Sequence, residues 1–259
     1  MYRWRIPLQT AGSVIAILIA KVIIEQQQWD FIEINTLFGS VIAGGIFLIS
    51  MILAGTMSDY KECERIPAEI VSALENIYDE GVQASRKWPS FDLAALREAL
   101  IEIVDAFHAD LTDVQGRRCL AAINRLSEQI AQLEELGQPA NYIVRLKGEQ
   151  STIRRLVLRV YHVQRTNFVP SAYILVDSVI VLIIGLLLFA QYETKVMPVF
   201  ASVLLTGFIS YLFLYMIRLL RTLDQPFRVN EQTMDDVSRF LLKEFRERME
   251  AEAGVPVKA

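Results

Sequence analysis

The sequence predicts an all-α membrane protein, with four transmembrane helices and a helical cytoplasmic domain, and three observations predict it. The 259 residues are 53% hydrophobic with a mean hydropathy of +0.32, yet 22% are charged. That combination means two kinds of sequence joined together, and it excludes a disordered chain, which would be poor in apolar residues. Leu37–Met57 and Val196–Ile217 carry no charge over 21 and 22 residues. At about 1.5 Å per residue, each makes a helix of roughly 30 Å, the thickness of a hydrocarbon core. Finally, basic residues collect beside only one end of each apolar segment.

The first span is read over Ile6–Ile24, apolar apart from Gln9 and Lys21. Lys21 is near its outer end, where a lysine can snorkel, here towards Glu25, so it is taken as structural. The basic start suits a signal peptide, but no small-residue cleavage site follows before Lys21, so a retained anchor is expected. The second span, Leu37–Met57, is rich in small residues: Gly39, Ser40, Ala43, Gly44, Gly45, Ser50, Ala54 and Gly55. Gly39 with Ala43, and Ser40 with Gly44, have the spacing that lets helices approach closely. Such a face serves either helix packing or the lining of a narrow path. The third span, Phe168–Tyr192, holds Asp177 about two turns from its cytoplasmic end. A carboxylate at bilayer depth costs about 2.5–3.5 kcal/mol, so Asp177 must pair with a base or face water. The fourth span carries Ser202, Thr206 and Ser210 on one face, able to bond across to another helix.

Orientation follows from lysine and arginine near the span ends. Arg3, Arg5, Lys61, Arg65, Arg154, Arg155, Arg159, Arg165, Arg218, Arg221 and Arg228 fall on one side. The other side has only Lys195, with the acids Glu25, Asp30, Glu33 and Glu193. Both termini and the long middle region are therefore expected in the cytoplasm, in a plasma membrane or bacterial inner membrane. The expected division is 1–57 for spans one and two, 58–168 for the cytoplasmic domain, 169–217 for spans three and four, and 218–259 for the tail.

The middle region reads as helix throughout, with Gly81, Pro89, Gly116, Gly137 and Pro139 among its breakers. The second span should continue as helix to about Asp79. Ser90 is a candidate cap for the next helix, whose apolar stripe is Leu93, Leu96, Leu100, Val104 and Phe107. A third helix should run from about Arg117 to Leu136 and stop at Gly137, with a fourth from near Pro139. Residues 59–113 hold 13 acids and 5 bases, and 114–168 hold 4 acids and 9 bases. Complementary helices packed together, or a charged vestibule for ions, would each use that division. In the tail, Thr233 with Asp236 marks a helix start, and Met234, Val237, Leu241 and Phe245 an apolar face.

Catalytic motifs are missing: the chain holds no P-loop, GxSxG, HExxH or GxGxxG pattern. Cys63 and Cys119 are its two cysteines, without a CxxC pair, and a net charge of −4 gives no global basic field for nucleic acid. Asp105, His108 and Asp110 form a cluster in which i and i+3 lie on one helix face, but a lone exposed histidine among charges is the better reading than a metal site. No cofactor is expected.

The C-terminal third carries a family likeness. Val169-Pro170-Ser171-Ala172-Tyr173 opens the third span, Met197-Pro198-Val199-Phe200 opens the fourth, and Phe208-Ile209-Ser210-Tyr211 lies within it. Leu223-Asp224-Gln225-Pro226-Phe227 follows, and Ser58-Asp59-Tyr60-Lys61-Glu62 gives a weaker match after the second span. These segments, with the order of two spans, helical insert, two spans and docking tail, resemble the bestrophins, as a divergent branch of that superfamily. Good likeness covers Val169 to Phe245, and layout alone covers the rest. The resemblance implies a homopentamer in a lipid bilayer around a central pore for small inorganic ions, with anions such as chloride slightly favoured. In the family the second span lines the neck with bulky apolar residues at i, i+4 and i+8. Aligned through Tyr60, these fall on Ile46, Ser50 and Ala54, of which only Ile46 is bulky; a one-residue slip gives Gly45, Ile49 and Leu53. The calcium clasp that animal members place after Pro-Phe is expected to be missing, since Phe227 is followed by Arg228, Val229, Asn230 and Glu231. Asp224, Pro226 and Phe227 are expected to seat the tail at a subunit interface. The competing reading is a non-conducting membrane scaffold or sensor whose cytoplasmic helices bind a partner.

Overall fold

Apolar runs of membrane length and amphipathic runs of domain length separate cleanly along the chain, and the helices follow that division. The computed structural model describes residues 5–113, 115–166, 170–192, 198–228 and 236–253. Its helices are α1 (Arg5–Gln26), α2 (Thr36–Lys87), α3 (Leu93–Thr112), α4 (Arg118–Glu135), α5 (Ala140–Arg165), α6 (Pro170–Leu188), α7 (Pro198–Leu223) and α8 (Phe240–Ala253). Two short strands, β1 (Ile32–Glu33) and β2 (Ala190–Gln191), pair in parallel with Ile32 opposite Ala190. The expected features at Arg3, Phe168, Val169, Glu193, Lys195, Val196, Met197, Val229, Asn230, Glu231, Thr233 and Met234 lie outside the described residues.

The described residues fall into two units, one drawn from Met1–Tyr60, Asn167–Pro226 and Gln232–Asp236, the other from Lys61–Thr166, Phe227–Glu231 and Val237–Ala259. Helix α2 contributes to both. The fold is all-α, and four helices are long and apolar enough to cross a membrane: Ile6–Gln26, Thr36–Lys87, Pro170–Leu188 and Val199–Leu223. The protein is an integral membrane protein.

In the first unit α1 packs along α7, and α7 along α6. Phe38, Ile49 and Ile52 of α2 join Val176, Ile180 and Ile183 of α6 and Phe213 of α7 in its core. Helix α6 stops at Leu188, short of the span expected to Tyr192, because the chain next turns into strand β2. The Phe189 carbonyl accepts the Ile32 amide at 3.0 Å, so carbonyls freed at the helix end are satisfied by β1 rather than by another helical turn.

The second unit is a helical bundle whose core includes Ile70, Leu74, Leu100, Phe107, Ile123 and Val157. Helix α2 runs eight residues past the expected stop, through both Pro67 and Gly81. Gly81 is a point of close approach rather than a break, since a Cβ there would stand 2.2 Å from Leu96 Cδ2. Asp92, not Ser90, caps α3, with Oδ1 accepting the Ala95 amide at 2.9 Å. Helix α4 ends as expected before Gly137, whose φ of +87° suits a glycine. The tail helix begins at Phe240, later than Thr233–Asp236 indicated, and it buries Leu242, Phe245 and Met249. Leu241, expected on that face, is only half-buried, because the packed face is centred on Leu242, Phe245 and Met249.

The unequal charges of the middle region meet one another within this unit. Glu62 pairs with Arg159, Glu80 with Arg145, Glu102 with Arg125 and Asp113 with Arg118, each an acid of the first half with a base of the second. Arg246 and Arg248 of α8 reach Asp105 and Glu75 of the same acidic half. This is the complementary packing that the charge division allowed.

Candidate functional site

A helix advances 100° per residue, so the buried positions of α2 define one side and leave another open. Phe38, Gly45, Ile49, Ile52 and Thr56 are buried, along one edge. Gly45 lies so close to α6 that a Cβ would meet Ile183 Cδ1 at 2.4 Å. The slipped register Gly45, Ile49, Leu53 thus contains two residues packed inside the chain, Gly45 and Ile49. Ile46, Ser50 and Ala54 are exposed, as are Ser40, Ala43, Phe47 and Ser58. Ser40, Ala43, Phe47, Ser50, Ala54 and Ser58 stand directly opposite the buried edge, and Ile46 borders that face. A Cβ added at Gly39 or Gly44 would meet nothing within 4 Å. The small residues other than Gly45 are all exposed among the described residues. Phe47 was not singled out in the sequence, and its place in the apolar–small alternation is the signal that marks it.

Asp177 is paired. Both its carboxylate oxygens accept from Arg221 Nη2 of α7, at 2.8 and 2.7 Å. The side chains of Asp177 and Arg221 remain 46% and 57% exposed, so this pair lies at the surface of the single chain. Asp224 follows directly after α7, its amide bonded to the Leu220 carbonyl at 3.0 Å. Pro226 and Phe227 are both buried. Phe227 is 7% exposed, and its carbonyl accepts from Gln164 Nε2 at 3.4 Å. The aromatic anchor of the tail is thus already covered within one chain. Phe240 is 56% exposed at the start of α8. Phe227→Ala should therefore cost about 3–5 kcal/mol and Phe240→Ala under about 0.5. Thermal unfolding of the detergent-solubilised variants checks this, and equal shifts would contradict it.

Lys21 departs from the sequence reading. It does not snorkel: it is fully buried, and its Nζ donates to the carbonyls of Leu188 and Ala190 at 3.2 and 2.6 Å. Glu25 Oε1 lies 3.3 Å from the ammonium and also accepts from Ser202 Oγ of α7. Tyr192 places its ring beside Lys21 and its hydroxyl 3.3 Å from Thr206 Oγ1. Ser202, Thr206 and Ser210 are all buried. The hydroxyl face of the fourth span is thus turned inward, and Ser202 and Thr206 bond to other elements.

In the second unit, Asp105, His108 and Asp110 do not converge on a metal, and no group of three ligating side chains occurs among the described residues. Asp105 pairs with Arg246, while His108 Nδ1 faces the Val104 carbonyl at 3.0 Å. Asp110 is 1% exposed and holds the start of α4, accepting the amides of Arg118 and Cys119 at 3.1 and 2.9 Å and the Tyr161 hydroxyl. An anion beside the orphan amides of a helix start is well placed. Burial, helped by the Asp110 charge, pushes the Cys119 thiol up to about 12, and burial with the bond to Asp110 raises the Tyr161 hydroxyl as well. Cys119 therefore stays a thiol, since nucleophilic cysteines need the opposite shift.

No family model and no characterised protein matches the sequence closely enough to group with it. Solved structures do match. The chain is similar to a point mutant of a bacterial bestrophin homologue from Klebsiella pneumoniae, with a TM-score of 0.77 and 14% identity over 96% of this chain and 99% of that one. A second point mutant gives 0.72 and 15%, over 98% and 100%. A further structure of that homologue gives 0.75 and 14%, over 96% and 99%. Nearly the whole chain therefore has the bestrophin fold, as the C-terminal motifs and layout indicated.

Proposed function

We propose that this chain is one subunit of an oligomeric, bestrophin-like ion channel. It passes small inorganic ions, anions such as chloride slightly favoured, passively through a central path lined by α2. The observation that carries this reading is the open face of α2. Small and hydroxyl side chains run along a membrane-length helix, face away from the chain's own core and stay exposed among the described residues. A helix exposing such a face to hydrocarbon alone would more commonly carry leucine and isoleucine there. Repeated around an axis in a homopentamer, Ile46, Ser50 and Ala54, with Phe47 beside them, would give a wetted path with an apolar constriction. The charge asymmetry supports both termini on the cytoplasmic side, with Gln26–Asn35 outside. Asp224, Pro226 and Phe227 would hold the tail where a neighbouring subunit meets it. The protein acts as a conductor rather than an enzyme.

Purified protein in proteoliposomes should release trapped chloride when a counter-ion pathway is supplied, and its mass in detergent should give five copies. Impermeant thiol labelling of intact cells should reach a cysteine at Gln28 and not one at Lys147. A well-assembled oligomer that passes neither anions nor cations would leave the scaffold reading in its place.

A further inference from the structure

Two arginines near the end of α7 are treated oppositely by the fold. Arg221 is neutralised by Asp177. Arg218, one turn earlier, has no carboxylate against it among the described residues. Its Nη2 donates to Ser13 Oγ of α1 at 2.6 Å, and Ser13 Oγ in turn donates to the Gln9 carbonyl at 3.3 Å. Its Nη1 is buried and meets no acceptor among the described residues. The guanidinium is thus clamped at one nitrogen and unanswered at the other, with a full charge uncompensated.

Arginines within spans are rare, and they normally pair with an opposite charge. The depth here is informative. Arg218 is five residues from the end of α7 at Leu223, about 7–8 Å at the helical rise. That is the level where span ends meet lipid headgroups. Tyr211 and Tyr215, stacked with ring centroids 5.9 Å apart, lie on the same face of α7 one and two turns deeper. Aromatic rings below a basic residue are the arrangement of a membrane interface, and tyrosine is favoured there. On the α1 side Gln9 and Gly12 are exposed, and a Cβ at Gly12 would meet nothing within 4 Å, so the approach past α1 is open.

We propose that Arg218 and Ser13 form a binding site for a phosphate group between α1 and α7, and that an anionic phospholipid supplies it. The phosphate meets the partly exposed side of the Arg218 guanidinium, whose charge and planar shape suit phosphate oxygens. The glycerol and acyl chain run along Tyr215 and Tyr211. Basic pockets between membrane helices are recognised sites of this kind for anionic headgroups. The site stands whether or not α2 lines a pore.

The test compares the purified full chain in detergent with phosphatidylglycerol, with phosphatidylcholine and with inorganic phosphate, read by native mass spectrometry for retained lipid and by thermal shift. The wild-type chain should retain phosphatidylglycerol about fivefold over phosphatidylcholine, the preference one basic residue gives at an anionic surface. Arg218→Gln should bring that ratio near one, and Ser13→Ala, which keeps the charge but loosens its aim, should lower it. A thermal shift with inorganic phosphate at matched ionic strength, lost in Arg218→Gln, would keep the phosphate site and assign it to a free oxyanion. No preference and no phosphate response in the wild type overturns the site, as does a preference that both variants retain.

Discussion

Replacing Lys21 by alanine should be the most destabilising single change in the membrane-spanning unit. The ammonium is fully buried and has three acceptors for its three protons: the carbonyls of Leu188 and Ala190 and the carboxylate of Glu25. Removing it takes a donor from the carbonyls of Leu188, the last residue of α6, and Ala190, and leaves Glu25, 13% exposed, without its cation. Glu25 Oε2 is already buried without a partner among the described residues, so the carboxylate has little in reserve. Breaking a buried pair from one side costs about 3–5 kcal/mol, whereas replacing both partners can be close to neutral. For a chain of this size that is a fall of roughly 10 °C in apparent Tm. Lys243, 75% exposed and paired with Glu247 one turn away, is the control, with an expected effect of about 0.5 kcal/mol or less. The double variant Lys21→Met with Glu25→Gln should recover part of the loss, because the uncompensated charge is gone. If Lys21→Ala melts within a degree or two of Lys243→Ala, the burial of this cluster is misread.

The same cluster shows where the sequence stops being informative. Hydrophobic length alone gave four membrane helices, since only runs that cross a hydrocarbon core need to be so long and so free of charge. The position of Lys21 near the outer end was also legible. Its surroundings were not, because they depend on α6 ending at Leu188 and on β2 pairing with β1, which brings the carbonyls of Leu188 and Ala190 to Lys21 across more than 160 residues. Asp110 repeats the lesson in the second unit. Close in sequence to Asp105 and His108 it invited a metal, but it turns inward, and its partners are amides of the next helix and the hydroxyl of Tyr161, 51 residues away. Where the pairing was a matter of bulk charge, the sequence came closer: an acidic half and a basic half could meet or line a vestibule, and they meet. The start of the tail helix failed for a local reason. A Thr–Asp pattern is a capping signal wherever it falls, and tertiary packing decided that Leu242, Phe245 and Met249, rather than Leu241, face inward. In α2, composition picked out the helix while its phase came only from what the buried edge touches.

The largest effect on conduction is expected from Ala54→Phe. Ala54 stands opposite the buried edge of α2, with the position exposed in a single chain. If that face meets its counterparts at an axis, one substitution introduces a full ring of phenylalanines. Such a ring narrows and dries the path, which should lower flux per assembled oligomer by roughly tenfold or more. Ile46→Ala and Phe47→Ala test the opposite direction, and they also separate two candidates for the constriction. Ile46 borders the face and is 39% exposed, while Phe47 stands nearer its centre and is 68% exposed. Whichever forms the apolar ring should raise flux severalfold when cut to alanine, and the other should change it little. If the face instead packs against another subunit's helices, the outcome differs in kind. Ala54→Phe then overfills a close contact at a cost of about 1–3 kcal/mol and the oligomer dissociates, with no change in flux for those copies that remain assembled. Normalising flux to the assembled fraction therefore distinguishes a lining residue from a packing residue. Unaltered flux in all three variants, with assembly intact, would remove α2 from the conduction path.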